Sequence, residues 1–447
     1  MRLNINILNG TFLLGTLIFT SLLYSLTLIN IDTFYLISVL SVIVVLVLRK
    51  KIDLKVLFFI ALLVFILGRG VLGAVGYNDS FSIMWGKGYD LNILDDKQSI
   101  LFFWAMSLYV IFIAFYFFDA SNKNNNVINN EAIINKKFYH YVFNICFVIS
   151  LILIPISSYS KISAFLSGGY SGLYVGQTEY NFSFMRLITF LMPLMFSICL
   201  ILNSSKLNKK FIFALFLFLL ASLVVGQRGA FGSWMLVYLW YIIVFKRKKN
   251  AFLKLCIIGG ICIPLFQFLE AYRSGFDVNQ NILFSFFNNQ GMTFFIPYFY
   301  KVVGNAPVST IIASIFPVGG IFQILSLTSP ETATISSWVS SGLSSNLFEQ
   351  GYGVGSSIFV ELFALSGNNM IVYCLLLFSM FSIIQVISNK SRQEVFFLLI
   401  FGQILPYIFL MPRGSLNQIT SQIIYSSIII FLLKISYIFV VRKRALK

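Results

Sequence analysis

Apolar runs of roughly 16 to 24 residues, each long enough to cross about 30 Å of hydrocarbon as a helix, alternate with polar breaks from one end of the chain to the other. This pattern predicts twelve transmembrane helices, near 11–29, 33–48, 54–76, 100–118, 138–159, 186–204, 211–226, 230–245, 252–270, 370–388, 394–411 and 417–440. Most breaks are short. Three on one side are not: Tyr77 to Ser99, Ser160 to Met185, and Ala271 to Asn369, the last spanning residues 271–369. Within it, Ile282 to Tyr300 and Val308 to Leu327 are apolar but interrupted by Pro297, Pro317, Gly319 and Gly320. Such interrupted runs predict short interfacial or re-entrant helices rather than a further pair of spans. The expected fold class is an all-α polytopic membrane protein: a single transmembrane domain over 1–447 with a large outer loop region at 271–369.

Composition agrees with that pattern. Hydrophobic residues make up 58% of the 447 and charged residues only 11%, which leaves no stretch for a separate water-facing domain. The first apolar run, Thr11 to Ile29, has only Arg2 before it and no small-residue cleavage pattern after it, so it is expected to stay as an uncleaved span. The net charge of +17 raises the question of a nucleic-acid partner, and topology answers it. With the N-terminus inside, the inner segments collect 23 Lys/Arg and 4 Asp/Glu, leaving 9 and 11 outside. The excess is therefore an orientation signal, carried by Arg49 to Lys51, Lys136 and Lys137, Lys206 to Lys210, Lys246 to Lys249 and Arg442 to Arg444. Both termini are expected to be cytoplasmic, and no nucleic acid is expected as a partner. Five cysteines fall in predicted spans without metal or disulfide spacing and read as small packing residues. Ser121 to Asn135, rich in Asn and Lys, reads as a flexible inner connection.

Five arginines sit at the outer ends of spans: Arg69 in GRG, Arg186 at the start of its span, Arg228 in QRG, Arg273, and Arg413 in MPRG. An arginine at a membrane boundary can snorkel to lipid phosphate or pair with a carboxylate. Five at similar depth on separate spans fit a second reading, a set of planar donor forks around one diphosphate. Arg228 is expected in a tight outer turn bent at Gly226 and Gly229. Gly351 to Asn368, GYGVGSSIFVELFALSGN, reads as a half-helix between glycine turns, with Glu361 near membrane level. Its start at Gly355, Ser356 and Ser357 suits either an anion or a packing element capped by Ser356. Glu361 and Glu270 are the carboxylates placed to act as a base, with Asp277, Glu331 and Glu349 behind them; Glu270 could equally pair with Arg273 on one helix turn. Outer aromatics, including Trp85, Tyr170, Tyr174, Tyr180, Phe286, Phe287, Phe294, Phe295, Tyr298, Trp338 and Tyr352, are candidates for stacking on sugars or for anchoring at the interface.

GQRGAFG at 226–232, the long outer loop, GYGVGSSIFVE at 351–361 and PRGSL at 412–416 together resemble the bacterial O-antigen polymerases, the Wzy proteins, and their relatives for enterobacterial common antigen. The resemblance covers most of the chain. It implies a multi-span glycosyltransferase broadly related to the GT-C class, set in the bacterial inner membrane with its active site facing the periplasm. Such proteins join polyprenyl-diphosphate-linked oligosaccharide units, here expected to be undecaprenyl-diphosphate-linked donor and acceptor. By motif, Arg228 and Arg413 carry over as substrate-binding arginines; Arg69, Arg186 and Arg273 rest on depth alone. The resemblance also implies a flippase and a chain-length regulator as partners alongside membrane lipids.

No Walker A and no HExxH motif is present, so no cofactor is expected and clustered arginine is the simpler way to stabilise a leaving diphosphate. An O-antigen ligase shares the donor, but its family leads one to expect a functional histidine in the large outer loop, and the single histidine, His140, lies at the inner start of a span. A flippase or transporter would need access from both faces, commonly with inverted repeats and broken helices at the midplane, and neither is evident.

Overall fold

The computed structural model describes residues 5–49, 51–84, 90–119, 136–172, 182–225, 228–246, 285–288, 291–318 and 329–445, with isolated positions at 253–264 and at 327. Apart from a two-stranded hairpin, β1 Ser82–Met84 antiparallel to β2 Asp90–Asn92, the regular structure of these residues is helical. The long helices are α1 Ile5–Ser25, α2 Ile31–Leu48, α3 Leu54–Ala74, α4 Lys97–Phe117, α5 Lys136–Gly172, α6 Phe182–Leu202, α7 Ser205–Val224 and α8 Arg228–Trp240, the last extended by a π turn at Tyr241–Phe245. Short helices follow: α9 Ile296–Val303, α10 Val308–Ile315, α11 Ile335–Leu343, α12 Ser345–Glu349 and α13 Ile358–Leu365. Three long ones close the chain: α14 Met370–Lys390, α15 Val395–Leu410 and α16 Leu416–Ala445.

Among the described residues, 9 helices are long and apolar enough to cross a membrane, and two shorter apolar stretches lie at Leu187–Leu202 and Gly229–Phe245. The chain is thus a multi-pass membrane protein. Nine of the twelve predicted spans correspond to these nine helices, two, 186–204 and 230–245, to the shorter stretches, and the last, 252–270, falls almost wholly outside the described residues. Two expectations need adjustment. The helix predicted to end at residue 159 runs on to Gly172 through Pro155, where the proline's missing N–H is one local loss in a long ladder. Arg228 is the first residue of α8 rather than a residue in the turn before it. Within 271–369 the five labelled helices have 5 to 9 residues, too short to cross, as the proline and glycine interruptions predict.

The chain divides into two compact units. The first holds Met1–Asp119, Gly232–Gln385 and Phe409–Leu416. Its core is aromatic: Trp104 donates from its indole N–H to the Phe294 carbonyl at 2.8 Å, stacks on Phe294 and meets Phe359 edge-on, while Phe103 stacks on Tyr373. Near the other end of the α2 and α3 helices lies a buried ion network that sequence patterning did not reveal. Asp119, just past α4, accepts from Lys55 Nζ at 2.7 Å and from Arg49 at 2.6 Å, and Arg49 also pairs with Asp53 at 2.8 Å. Asp53 caps α3 through the Lys55 N–H, and Asn6 of α1 donates to the Asp119 carbonyl. Two cations and two carboxylates cancel, which is what lets Lys55 lie 2% exposed. Burial alone would raise the Asp119 carboxyl, but Lys55 and Arg49 together hold it below the usual carboxylate range. The second unit, Ala120–Phe231, Val386–Ile408 and Asn417–Lys447, packs α5 to α7 with α15 and α16. Here Tyr407 donates to the Thr189 carbonyl at 3.1 Å and Gln422 to the Phe190 carbonyl at 3.2 Å, fastening α15 and α16 to α6. Among the described residues three cysteines are free, Cys146 and Cys199 buried and Cys374 half-buried.

Candidate functional site

The candidate residues of the first unit meet along one side of α3. That helix carries a π turn at Leu63–Leu67, which leaves main-chain carbonyls off the regular ladder. Two side chains satisfy them: Tyr35 donates to the Leu67 carbonyl at 3.0 Å, and Thr293 to the Phe65 carbonyl at 2.9 Å. Glycines flank Arg69 because neighbours press on the backbone there. A Cβ at Gly68 would fall 2.2 Å from Phe287 Cδ1, and one at Gly70 would fall 2.5 Å from the Tyr35 hydroxyl.

Arg69 itself is 4% exposed. Its Nε donates to the Ser80 carbonyl at 2.8 Å, Nη2 to the Ser82 carbonyl at 2.8 Å and Nη1 to the Asn288 carbonyl at 2.7 Å, and the guanidinium carbon lies 4.6 Å from the centre of the Phe295 ring. Among the described residues no carboxylate pairs with it. Carbonyl dipoles and a ring face replace water around the charge, so the guanidinium fastens the residues entering β1 and the turn at 285–288 to the same point of α3. Little of its donor fork is left for a ligand.

Arg413 is placed differently. It ends a 3-10 turn, Met411–Arg413, directly after α15, is half-buried, and lies 5.9 Å over the ring of Phe65, four positions before Arg69 on α3. The chain then extends through Gly414 into the first residue of α16, Leu416. The Leu416 N–H, one of the donors a helix start leaves without an internal partner, donates to Glu361 Oε2 at 2.6 Å. The other carboxylate oxygen accepts from the Ser356 hydroxyl at 2.9 Å. Both oxygens of a side chain that is 1% exposed are therefore taken by the protein itself. Burial pushes the Glu361 carboxyl up to about 8, further than its two donors pull it down.

These contacts join two sequence motifs that are far apart in the chain. GYGVGSSIFVE reaches Glu361 through glycines at Gly351 and Gly355, both with a φ of +83°, which a side chain would resist. The cap of α13 is Ser357, while Ser356, expected as the cap, turns instead to Glu361. Glu361 then closes the PRGSL turn that carries Arg413. Nothing in periodicity or composition foretells that pairing. The only hint in the sequence is an acidic residue in an otherwise apolar helix, which must find donors somewhere.

The remaining candidates divide by where they fall. Arg186 lies in the first turns of α6 and Arg228 opens α8; both belong to the second unit, and their side chains lie outside the description. Gly232, one turn beyond Arg228 on α8, belongs to the first unit, where a Cβ would stand 3.6 Å from Phe65 Cζ. Glu270, Arg273 and Asp277 lie outside the described residues. Glu331 and Glu349 are exposed. Of the aromatics read as candidates for sugar stacking or interfacial anchoring, Phe294 and Phe295 are fully buried and Phe286 is 3% exposed, while Trp338 is half-buried with its indole donating to the Gly304 carbonyl. They were indistinguishable from interfacial rings in the sequence because the loop region folds back on α3 and α4 and buries them.

A family model described as O-antigen polysaccharide polymerase Wzy matches residues 7–445, nearly the whole chain. No curated protein and no solved structure matches it.

Proposed function

The chain belongs to the Wzy family of O-antigen polysaccharide polymerases, and from that premise we propose that it is a glycosyltransferase that joins undecaprenyl-diphosphate-linked repeat units at the periplasmic face of the inner membrane. The observation that carries the reading is the joined pair of motifs: the Arg413 turn is held by the buried Glu361 side chain, from the last part of the long loop region. A turn fixed in this way presents a guanidinium at a span end, where the head of a lipid-linked substrate meets the protein while its tail stays in the bilayer. The excess of lysine and arginine on the other side supports the periplasmic orientation. Twelve spans in a GT-C-like arrangement belong to the same proposal.

In the reaction, the bond between the anomeric carbon of the growing glycan and the diphosphate oxygen breaks, and its electron pair leaves with the diphosphate. The hydroxyl of the acceptor unit forms the new bond to that carbon and gives up its proton. Arg413 stabilises charge on the departing diphosphate more strongly than in the ground state, where that charge is smaller. Arg228, by its motif, and Arg186 and Arg273, by their place at span ends, are assigned substrate contacts from the sequence. Arg69, whose donors are spent on carbonyls, acts as a clamp beneath the site. Glu361 positions the Arg413 turn, and Glu270 is the carboxylate assigned to the acceptor proton.

The test is purified protein in proteoliposomes with lipid-linked repeat units. Longer lipid-linked glycans support polymerisation, transfer to lipid A core indicates a ligase, and unchanged glycans with altered leaflet distribution indicate transport. Arg413→Lys and Arg228→Lys keep the charge but lose the planar fork, and each should lower kcat/KM by ~10-fold or more at normal expression. Undiminished activity in both would remove the diphosphate role.

A further inference from the structure

A second feature of the first unit lies where α1 ends and α4 begins. An open cleft of about 410 Å³ is lined there by Tyr24 and Phe102, by Asp95, Asp96 and Gln98, and by Lys301. Its size falls in the range of roughly 300–1,000 Å³ common for small-ligand sites.

The walls are built rather than incidental. Tyr24, in the last turn of α1, stacks on Phe102 of α4 with ring centres 6.1 Å apart. Phe34 of α2, fully buried, backs both rings at 5.5 and 5.9 Å. Gln98 donates to the Tyr24 hydroxyl, which fixes the carboxamide at the rim. Asp96 ends the 3-10 turn that leads into α4 and accepts from the Tyr298 hydroxyl of α9; Lys301 follows three positions later on α9. The start of α4 is tied to the start of α2 by Lys97 and Asp32 at 2.8 Å. Helices α1, α2, α4 and α9 thus fix the relative positions of an aromatic pair, two carboxylates, an amide and one ammonium.

Charge decides what such a cleft can hold. Two carboxylates against one lysine leave it net negative, so it repels a diphosphate or a phospholipid phosphate. A part-exposed aromatic pair flanked by carboxylates and an amide fits a ligand with an apolar C–H face and a rim of hydroxyls. The cleft is also linked to the candidate site through rings. Lys97, adjacent to Asp96 and Gln98, lies 5.6 Å over Phe81; Phe81 meets Phe295 edge-on; and Phe295 lies under Arg69.

We propose that this cleft is a sugar-binding subsite, which takes a neutral pyranose ring of the repeat-unit glycan against Tyr24 and Phe102 while Asp95, Asp96 and Gln98 engage its hydroxyls. The identity of the glycan rests on the polymerase reading; the binding chemistry does not. The subsite holds the glycan part of the substrate while the arginines hold its diphosphate, so it contributes to KM rather than to the bond-making step.

Full-length protein in nanodiscs provides the test. The probe is the lipid-free repeat-unit oligosaccharide of the producing strain, released from its carrier by mild acid, with binding followed by saturation-transfer NMR. Asp95→Asn and Gln98→Ala alter exposed side chains and should leave folding intact. Each should weaken oligosaccharide binding by ~10-fold and raise KM for polymerisation by a similar factor, with kcat within about twofold. Binding of glycan-free undecaprenyl diphosphate should not change. Unchanged oligosaccharide affinity in both variants, or no oligosaccharide binding by a wild-type protein that polymerises, overturns the subsite. Asp95-dependent binding by a protein that does not polymerise keeps the subsite and sinks the polymerase reading.

Discussion

Glu361 offers the sharpest experiment, because a positioning role separates two variants that a proton-transfer role would leave equally impaired. In Glu361→Ala the Leu416 N–H is stranded in a buried place and the Ser356 hydroxyl loses its acceptor. A stranded buried donor costs about 1–3 kcal/mol, and the hydroxyl, free to rotate, costs less. Taking about 2–3 kcal/mol for the pair, the turn carrying Arg413 should hold its place ~30- to 150-fold less well, and polymerisation should fall accordingly. Glu361→Gln has a gentler outcome. Its carboxamide oxygen can accept from Leu416, and its amide can donate to the Ser356 oxygen, so the loss should stay under about 1 kcal/mol, or ~5-fold. A general base behaves otherwise, since removing its proton-accepting group costs ~10²–10⁴-fold whatever the hydrogen bonds do. The assay is initial-rate polymerisation of lipid-linked repeat units in proteoliposomes, beside a thermal unfolding curve for each variant. A Glu361→Gln protein of wild-type stability with activity as low as Glu361→Ala would refute the positioning argument. The pH dependence gives an independent check. The folded carboxyl is raised to about 8 from an ordinary 4.5, so its contribution to stability is full below about 4.5 and is lost as pH rises through 8. Wild-type melting temperature should therefore fall across that window, and Glu361→Gln should flatten the fall.

Two further predictions concern buried charge. Removing Arg69 as Arg69→Met leaves three carbonyls without their donor, which should cost about 3–5 kcal/mol and show as loss of folded protein in detergent extracts, not as a selective KM effect. A selective loss of diphosphate affinity in a stable Arg69→Met protein would return Arg69 to the substrate site. Asp119→Asn leaves Lys55 and Arg49 to share the single charge of Asp53 and should destabilise by about 3–5 kcal/mol, whereas a double replacement of Lys55 and Asp119 by Met and Asn should recover part of that loss. Because the Asp119 carboxyl is held below its ordinary value, its stabilisation is present above that value and is lost as pH falls through the depressed one. Acid unfolding at low pH should thus steepen in wild type relative to Asp119→Asn.

Apolar run length and the side on which lysine and arginine collect were enough to read a many-span helical membrane protein, because hydrocarbon thickness sets helix length and an unpaired backbone is too costly in lipid to allow much else. The same local rules read the interrupted segments of 271–369 as short helices, and the described ones have 5 to 9 residues. Side-chain partners were a different matter. Arg69 and Arg413 are both arginines at span ends in glycine-flanked motifs, yet one has its donors bound to three carbonyls and the other lies half-buried over a ring. Glu361 read as a base because it was acidic and outer; its neighbours Ser356 and Leu416 are 5 and 55 positions away. The Lys55 and Asp119 pair and the Tyr24 and Phe102 rings likewise come from helices far apart in the chain. Periodicity along a chain reports which surface a residue shares with its own helix, and hydrophobic transfer is indifferent to which partner buries it. Hydrogen bonds and ion pairs are short-ranged and directional, so only the packed arrangement decided which partners the buried charges met.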